Sequence, residues 1–121
     1  MVNKFARIVS DQDATDVEPP PSLDEPGRNF WRRIMSDFVI DDTAGRALLE
    51  QACAGLDRAE KLAEIIRQDG EVVRTRTGVR AHPAIREELS ARSFVVRTIQ
   101  RLGLTLEPLR ASPGRPPGGG A

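Results

Sequence analysis

The chain has 121 residues, 39% hydrophobic but only 4% aromatic, with no tyrosine and a single tryptophan. Eighteen basic and eighteen acidic residues cancel, which makes the neutral monomer a poor non-specific DNA binder, and one cysteine excludes an internal disulfide. No apolar run approaches the roughly 20 residues of a membrane span, and the first ten residues lack the apolar core of a secretory leader, so a soluble, cytosolic protein is expected.

The charge is unevenly placed. Residues 1–26 carry two bases against six acids, and residues 41–71 carry four against eight. Residues 72–121 carry nine arginines against Glu87, Glu88 and Glu107. Segregation of this kind permits a basic face that an oligomer would multiply.

Residues 1–22 read as a disordered arm: acidic, poor in large apolar groups after the first nine positions, and ending in Pro19-Pro20-Pro21. A helical domain is expected over 23–110. Its first helix spans about Asp24 to Asp37, with Ser22 or Asp24 as cap, and Phe30, Ile34 and Phe38 step by four beside Trp31 and Met35. A long second helix runs from a cap at Asp41 or Asp42 to a stop at Gly70. Its apolar stripe is Leu48, Ala52, Leu56, Ala59, Leu62 or Ala63, and Ile66. Ala and Gly55 dominate that stripe, so another helix can approach closely. Asp57, Glu60, Lys61 and Glu64 form the opposite, solvated side.

The period then changes. Residues 71–80, with β-branched Val72, Val73, Thr75, Thr77 and Val79 around Gly78, read as a hairpin turning near Thr77-Gly78. A lone two-stranded hairpin is marginal in water, so it should pack on the helices or pair with a neighbouring chain. His82-Pro83 opens a third helix that stops at Gly103. At 100° per residue, Ile85, Leu89, Val95, Val96, Ile99 and Leu102 share one broad face, with Phe94 pointing away from it. Arg86, Arg97 and Arg101 share another. Residues 111–121, rich in Pro and Gly, read as a disordered tail.

Little of this sequence supports catalysis. The lone His82 precedes a proline at a helix start, where a turn or capping role suffices. No second His or Cys completes a transition-metal site. Gly118-Gly119-Gly120 lacks the Lys and Ser/Thr of a phosphate cradle, and the acid pairs Asp41-Asp42 and Glu87-Glu88 sit at helix starts, which favour negative charge. No enzyme and no cofactor are expected. The remaining signal is arginine, whose planar fork suits phosphate. The candidates are Arg28, Arg32 and Arg33 on the first helix, Arg74, Arg76 and Arg80 on the hairpin, and Arg86, Arg97 and Arg101 on the third helix. Two readings stay open: contact with DNA, or pairing with the acidic second helix within or between chains.

The order of features resembles a known family. Phe30-Trp31 lies on the first helix, and a long Ala/Leu helix ends at Gly70. Gly70-Glu71-Val72-Val73 and Thr77-Gly78-Val79-Arg80-Ala81-His82-Pro83 follow, then Arg101-Leu102-Gly103-Leu104-Thr105 and Pro108-Leu109-Arg110. Together, over about residues 22–110, they resemble phage terminase small subunits, although Leu106-Glu107 intervene before the proline that usually follows the Gly-Leu-Thr turn. The resemblance implies a mainly α protomer, with a small β-hairpin between the second and third helices, that assembles into a ring. It also implies three partners: double-stranded viral DNA, a separate large terminase subunit holding the ATPase and nuclease, and other copies of this chain. Leu56, Ala59, Ile66 and Phe94 are then the candidate contacts between copies. A small helix-turn-helix regulator is the alternative reading, and a scaffold without DNA contact a third. The net-acidic second helix would sit poorly in a groove lined by phosphates.

Overall fold

A computed structural model of the chain describes residues 17–104 and the backbone of Arg7 and Ile8. Its elements run β1 (Arg7–Ile8), α1 (Glu25–Asp37), β2 (Phe38–Val39), α2 (Thr43–Asp69), β3 (Val72–Thr75), β4 (Gly78–Ala81) and α3 (Ala84–Arg101). The protomer is thus mainly helical, with a two-stranded antiparallel hairpin between the second and third helices. A second, minimal antiparallel pair joins β1 to β2, with Arg7 opposite Val39 and Ile8 opposite Phe38. Those two residues fall within the expected arm; the rest of residues 1–16, and the tail, lie outside the described residues.

Both α1 and α3 pack principally against α2. Trp31, Ile34 and Met35 of α1, Leu49, Ala52 and Cys53 of α2, and Val95 and Ile99 of α3 meet in one core that Leu23, Ile40, Leu102 and Leu104 close. The Trp31 indole Nε1–H reaches the carbonyl of Val17 at 3.3 Å, which lays residues 17–23 along α1.

Local chemistry fixes the helix ends. The Asp42 carboxylate caps α2 by accepting from Gly45 N–H at 3.0 Å. Gly70, at φ 92°, ends the helix with its N–H on the carbonyl of Ile66. At the end of α3, Gly103 N–H meets Gln100 O at 2.9 Å and Leu104 N–H meets Ile99 O at 3.3 Å. That is a Schellman closure, with Gly103 at φ 81° and Leu104 tucked into the core.

Three sequence expectations change. The α1 cap is not supplied by Ser22 or by the Asp24 side chain. It comes from Asp57 of α2, which accepts from Asp24 N–H at 2.8 Å and Gly27 N–H at 2.7 Å. Asp57 is therefore buried, at 8% exposure, and not part of a solvated face. The broad apolar face of α3 is also split. Val95, Ile99 and Leu102 point inward, while Leu89 is 62% and Val96 48% exposed. The reason lies across the contact: α2 offers the small groups Ala52, Gly55 and Ala59, so a narrow seam with Ala91 and Thr98 suffices. Phe94, off the buried face of α3, keeps 37% of its surface exposed and lays one side of its ring against α2 at Gly55. An added Cβ at Gly55 would stand 2.9 Å from the Phe94 ring and 3.1 Å from Val95, so the two helices approach as closely as the Ala/Gly stripe allows.

Candidate nucleic-acid interface

Arginine sites are decided by where the acids go. Among the described residues, four of the five α2 carboxylates are committed elsewhere, Glu50 being the exception. Glu64 pairs with Arg67 and accepts from Gln68, bonds that hold its carboxyl below its ordinary value, the Arg67 hydrogen bond first. Glu60 and Glu88 both face Arg92, at 3.4 and 2.8 Å, and the Glu88 hydrogen bond keeps that guanidinium all the more firmly charged. Asp69 meets His82, and Asp57 caps α1. Lys61 takes Asp24 at 3.4 Å.

All nine candidate arginines are exposed, and among the described residues none has a carboxylate partner. Arg28 donates only to the Pro21 carbonyl at 3.2 Å, and Arg32 only weakly to the Asn29 amide oxygen at 3.4 Å. Pairing within the chain with the acidic second helix is thereby removed as their explanation. Arg58, on α2 beside Phe94, is equally exposed and unpaired among the described residues. Sequence reading missed it because its neighbours in the chain are acids.

The nine fall into three groups on separate elements. Arg28, Arg32 and Arg33 occupy consecutive turns of α1. Arg86, Arg97 and Arg101 form a strip within about 60° of arc and roughly 22 Å long on α3, at 1.5 Å per residue. The hairpin does not present its arginines together. Val72 pairs with Ala81, Val73 with Arg80, Arg74 with Val79 and Thr75 with Gly78. Cross-strand partners share a face, so Arg74 stands with Val72, Val79 and Ala81, and Arg80 stands on the opposite face with Val73. Arg76 is in the two-residue turn, one position before the expected one, where Thr75 Oγ1 donates to the carbonyl of Gly78 at 2.9 Å.

Every hairpin residue except Val73 is exposed, so the hairpin stands off the helices and is held at its base. There His82 does three things. Its backbone N–H donates to Glu71 O at 2.8 Å. Its ring Nδ1 accepts from Ala84 N–H at 3.0 Å, capping α3. Its Nε2 lies 2.9 Å from Asp69 Oδ2. Because Nδ1 is an acceptor, the proton of the neutral ring sits on Nε2 and points at Asp69. His82 is a structural joint between α2, the hairpin and α3.

The expected contacts between copies are placed differently from one another. Ala59 is fully buried and Ile66 8% exposed within the single chain, while Leu56 is half-buried against the core. Phe94 keeps 37% of its surface exposed. Cys53 is fully buried, and burial above all, then Asp57 and Glu50, pushes its thiol up to about 12. No cluster of metal-ligating side chains occurs among the described residues, and no helix there is long and apolar enough to cross a membrane.

A family model described as phage terminase, small subunit, matches residues 27–108, two thirds of the chain, with most of α1 and all of α2, the hairpin and α3. No curated protein and no solved structure matches the chain.

Proposed function

This chain belongs to the phage terminase small-subunit family, and we propose on that footing that it is a non-catalytic, ring-forming component of viral genome packaging. In this reading it engages double-stranded viral DNA in the host cytoplasm and stimulates a separate large subunit that holds the ATPase and nuclease.

One observation carries the DNA part: nine exposed arginines without a carboxylate partner among the described residues, in a chain with no net charge. Arginine left without a carboxylate partner is free to exchange its counterions for phosphates. The α3 strip is the most ordered of the three groups, since a packed helix holds it in one line. Repetition around an oligomer would turn three modest groups into continuous basic bands.

Assembly is supported by surface left over in the single chain. Val72, Val79, Leu89, Val96, Ile65 and Phe94 are large apolar residues exposed on a protomer of this size. Phe94 is retained as a contact between copies.

Light scattering coupled to gel filtration tests the ring. A species well above a dimer is expected at micromolar concentration. A clean monomer or dimer overturns the ring as the resting state and moves weight to a dimeric regulator.

A further inference from the structure

The hairpin carries arginine without acid. Residues 72–81 hold Arg74, Arg76 and Arg80 and no carboxylate. All three are exposed, on a ladder whose only half-buried member is Val73. The base is fixed: His82 N–H donates to Glu71 O at 2.8 Å, and the His82 ring ties it to Asp69 and to Ala84 N–H. The ladder therefore projects from the helices in one set direction. Its register sorts the arginines by direction as well. Arg76 sits in the turn, at the tip. Arg74 is one step behind the last pair, Thr75 with Gly78, on one face; Arg80 is two steps behind it, on the other. At about 3.3 Å per step they stand roughly 3 and 7 Å back from that pair.

We infer that this hairpin enters the major groove of duplex DNA tip first, with Arg76 on base edges and Arg74 and Arg80 on the phosphates of opposite walls. The inference rests on the DNA reading above and names the element that enters the duplex. Dimensions select the groove. A sheet layer with side chains on both faces is about 10 Å thick. The major groove, about 12 Å wide and 8.5 Å deep, admits such a ribbon, and the minor groove, about 6 Å wide, does not. Both walls of a groove are phosphate. Arginines on opposite faces, which a flat anionic surface could not use together, therefore each meet one wall. At the floor, Arg76 can donate through both arms of its fork to guanine O6 and N7. Val79, on the Arg74 face and within that depth, meets the thymine methyl, the apolar group this groove offers. Val72 and Ala81, three steps back at about 10 Å, stay at the mouth. The acids Glu71 and Glu87 lie at the base with them, and Arg86 lines the same corner as Glu87. Pairing edge to edge with the hairpin of a second copy would instead bring three arginines against three more.

The test uses the full chain and a fluorescein-labelled, mixed-sequence duplex of about three helical turns. Dimethyl sulfate reports both grooves in one experiment, because it methylates guanine N7 in the major groove and adenine N3 in the minor. With saturating parent protein, guanine methylation is expected to fall and adenine methylation to persist. This footprint needs no variant. Arg76→Ala is expected to restore guanine methylation and to weaken duplex binding about tenfold or more. Arg74→Ala/Arg80→Ala should weaken binding and flatten its salt dependence by about 0.9 for each phosphate contact, roughly 1.8 in all. Both variants change only exposed side chains, so helical circular dichroism and solution mass should match the parent. Guanine N7 left reactive in the parent complex, or adenine N3 protected in its place, overturns the inference while the DNA reading stands on the α1 and α3 arginines. Variants with the parent's affinity and slope overturn it in the same way. A smaller solution mass in either variant assigns the hairpin to contact between copies and overturns it too. A parent without salt-sensitive duplex binding fails the DNA reading itself, and the groove inference with it.

Discussion

The carboxylate of Asp57, in the middle of α2, caps the start of α1: Oδ1 lies 2.7 Å from the backbone nitrogen of Gly27 and Oδ2 lies 2.8 Å from that of Asp24. The two helices are joined by a cap that crosses 30 residues of sequence. Negative charge at the positive end of the α1 dipole is favourable, and two otherwise orphan N–H groups are satisfied.

Gly27→Ala tests the closeness of that joint. Helix propensity alone favours alanine by about 1 kcal/mol. At Gly27, however, an added Cβ would lie 2.6 Å from Asp57 Oδ2 and 2.9 Å from the backbone carbonyl of Cys53. The carbonyl cannot swing aside, so we expect a net loss of about 1–3 kcal/mol in thermal or denaturant unfolding, typical of overpacking. A stabilised Gly27→Ala protein would contradict the joint.

Asp57→Asn keeps the shape and removes the charge. If its amide nitrogen faces the two N–H groups, donor meets donor; if its oxygen does, only one strong acceptor remains. A loss of about 1–3 kcal/mol is expected, the cost of leaving a buried donor unsatisfied. An unchanged unfolding midpoint would show that α1 does not depend on this cap.

At the other end of α2, His82→Ala removes both the Ala84 cap and the Asp69 contact. We expect about 1–2 kcal/mol of lost stability. Amide exchange should also quicken over residues 72–81, because the base of the hairpin then keeps the backbone bond from His82 N–H to Glu71 O but loses both ring contacts. His82→Asn can still cap Ala84 but is too short for Asp69, and should fall between the two. Unaltered hairpin exchange in His82→Ala would remove the joint.

Cys53 provides a pH test. Its thiol is buried and pushed up from 9.0 to about 12, so folding favours the neutral form. The folded-state value is raised, so this contribution to stability is fully present below about pH 9. It is lost progressively as pH rises toward 12. Cys53→Ala should flatten that part of the stability profile. In the native parent at pH 8, a thiol reagent should react only as fast as the protein opens, and at once in denaturant.

Much of this architecture is legible in sequence where the signal is local. Asp42, Gly70, His82-Pro83 and Gly103 each set a boundary within a few residues, and the structure places the helix ends there. Asp57 was not legible, because its partners are 30 and 33 residues away and nothing nearby marks it as different from Glu60 or Glu64. The rotation of α3 was hidden for another reason. Its apolar arc is wide enough for two solutions, and the small residues of α2 choose between them. Arg74 and Arg80 look like neighbours in sequence, yet a two-residue turn sends them to opposite faces. The freedom of the nine arginines depends on which acids are already taken. Arg92 takes Glu88 one turn before it in sequence and Glu60 across the helix contact, and only the second is invisible from sequence.

The most direct test of the central claim, that these unpaired arginines engage DNA, is the salt dependence of duplex affinity for the full chain. It should be compared with Arg28→Ala/Arg32→Ala/Arg33→Ala, Arg74→Ala/Arg76→Ala/Arg80→Ala and Arg86→Ala/Arg97→Ala/Arg101→Ala. Plotted as log affinity against log salt, the parent should fall linearly, and the α3 triple variant should lose about 0.9 of slope for each phosphate contact removed. Such a loss, with unchanged solution mass, supports the account. A parent without salt-sensitive binding, or three variants with the parent's affinity and slope, would contradict it.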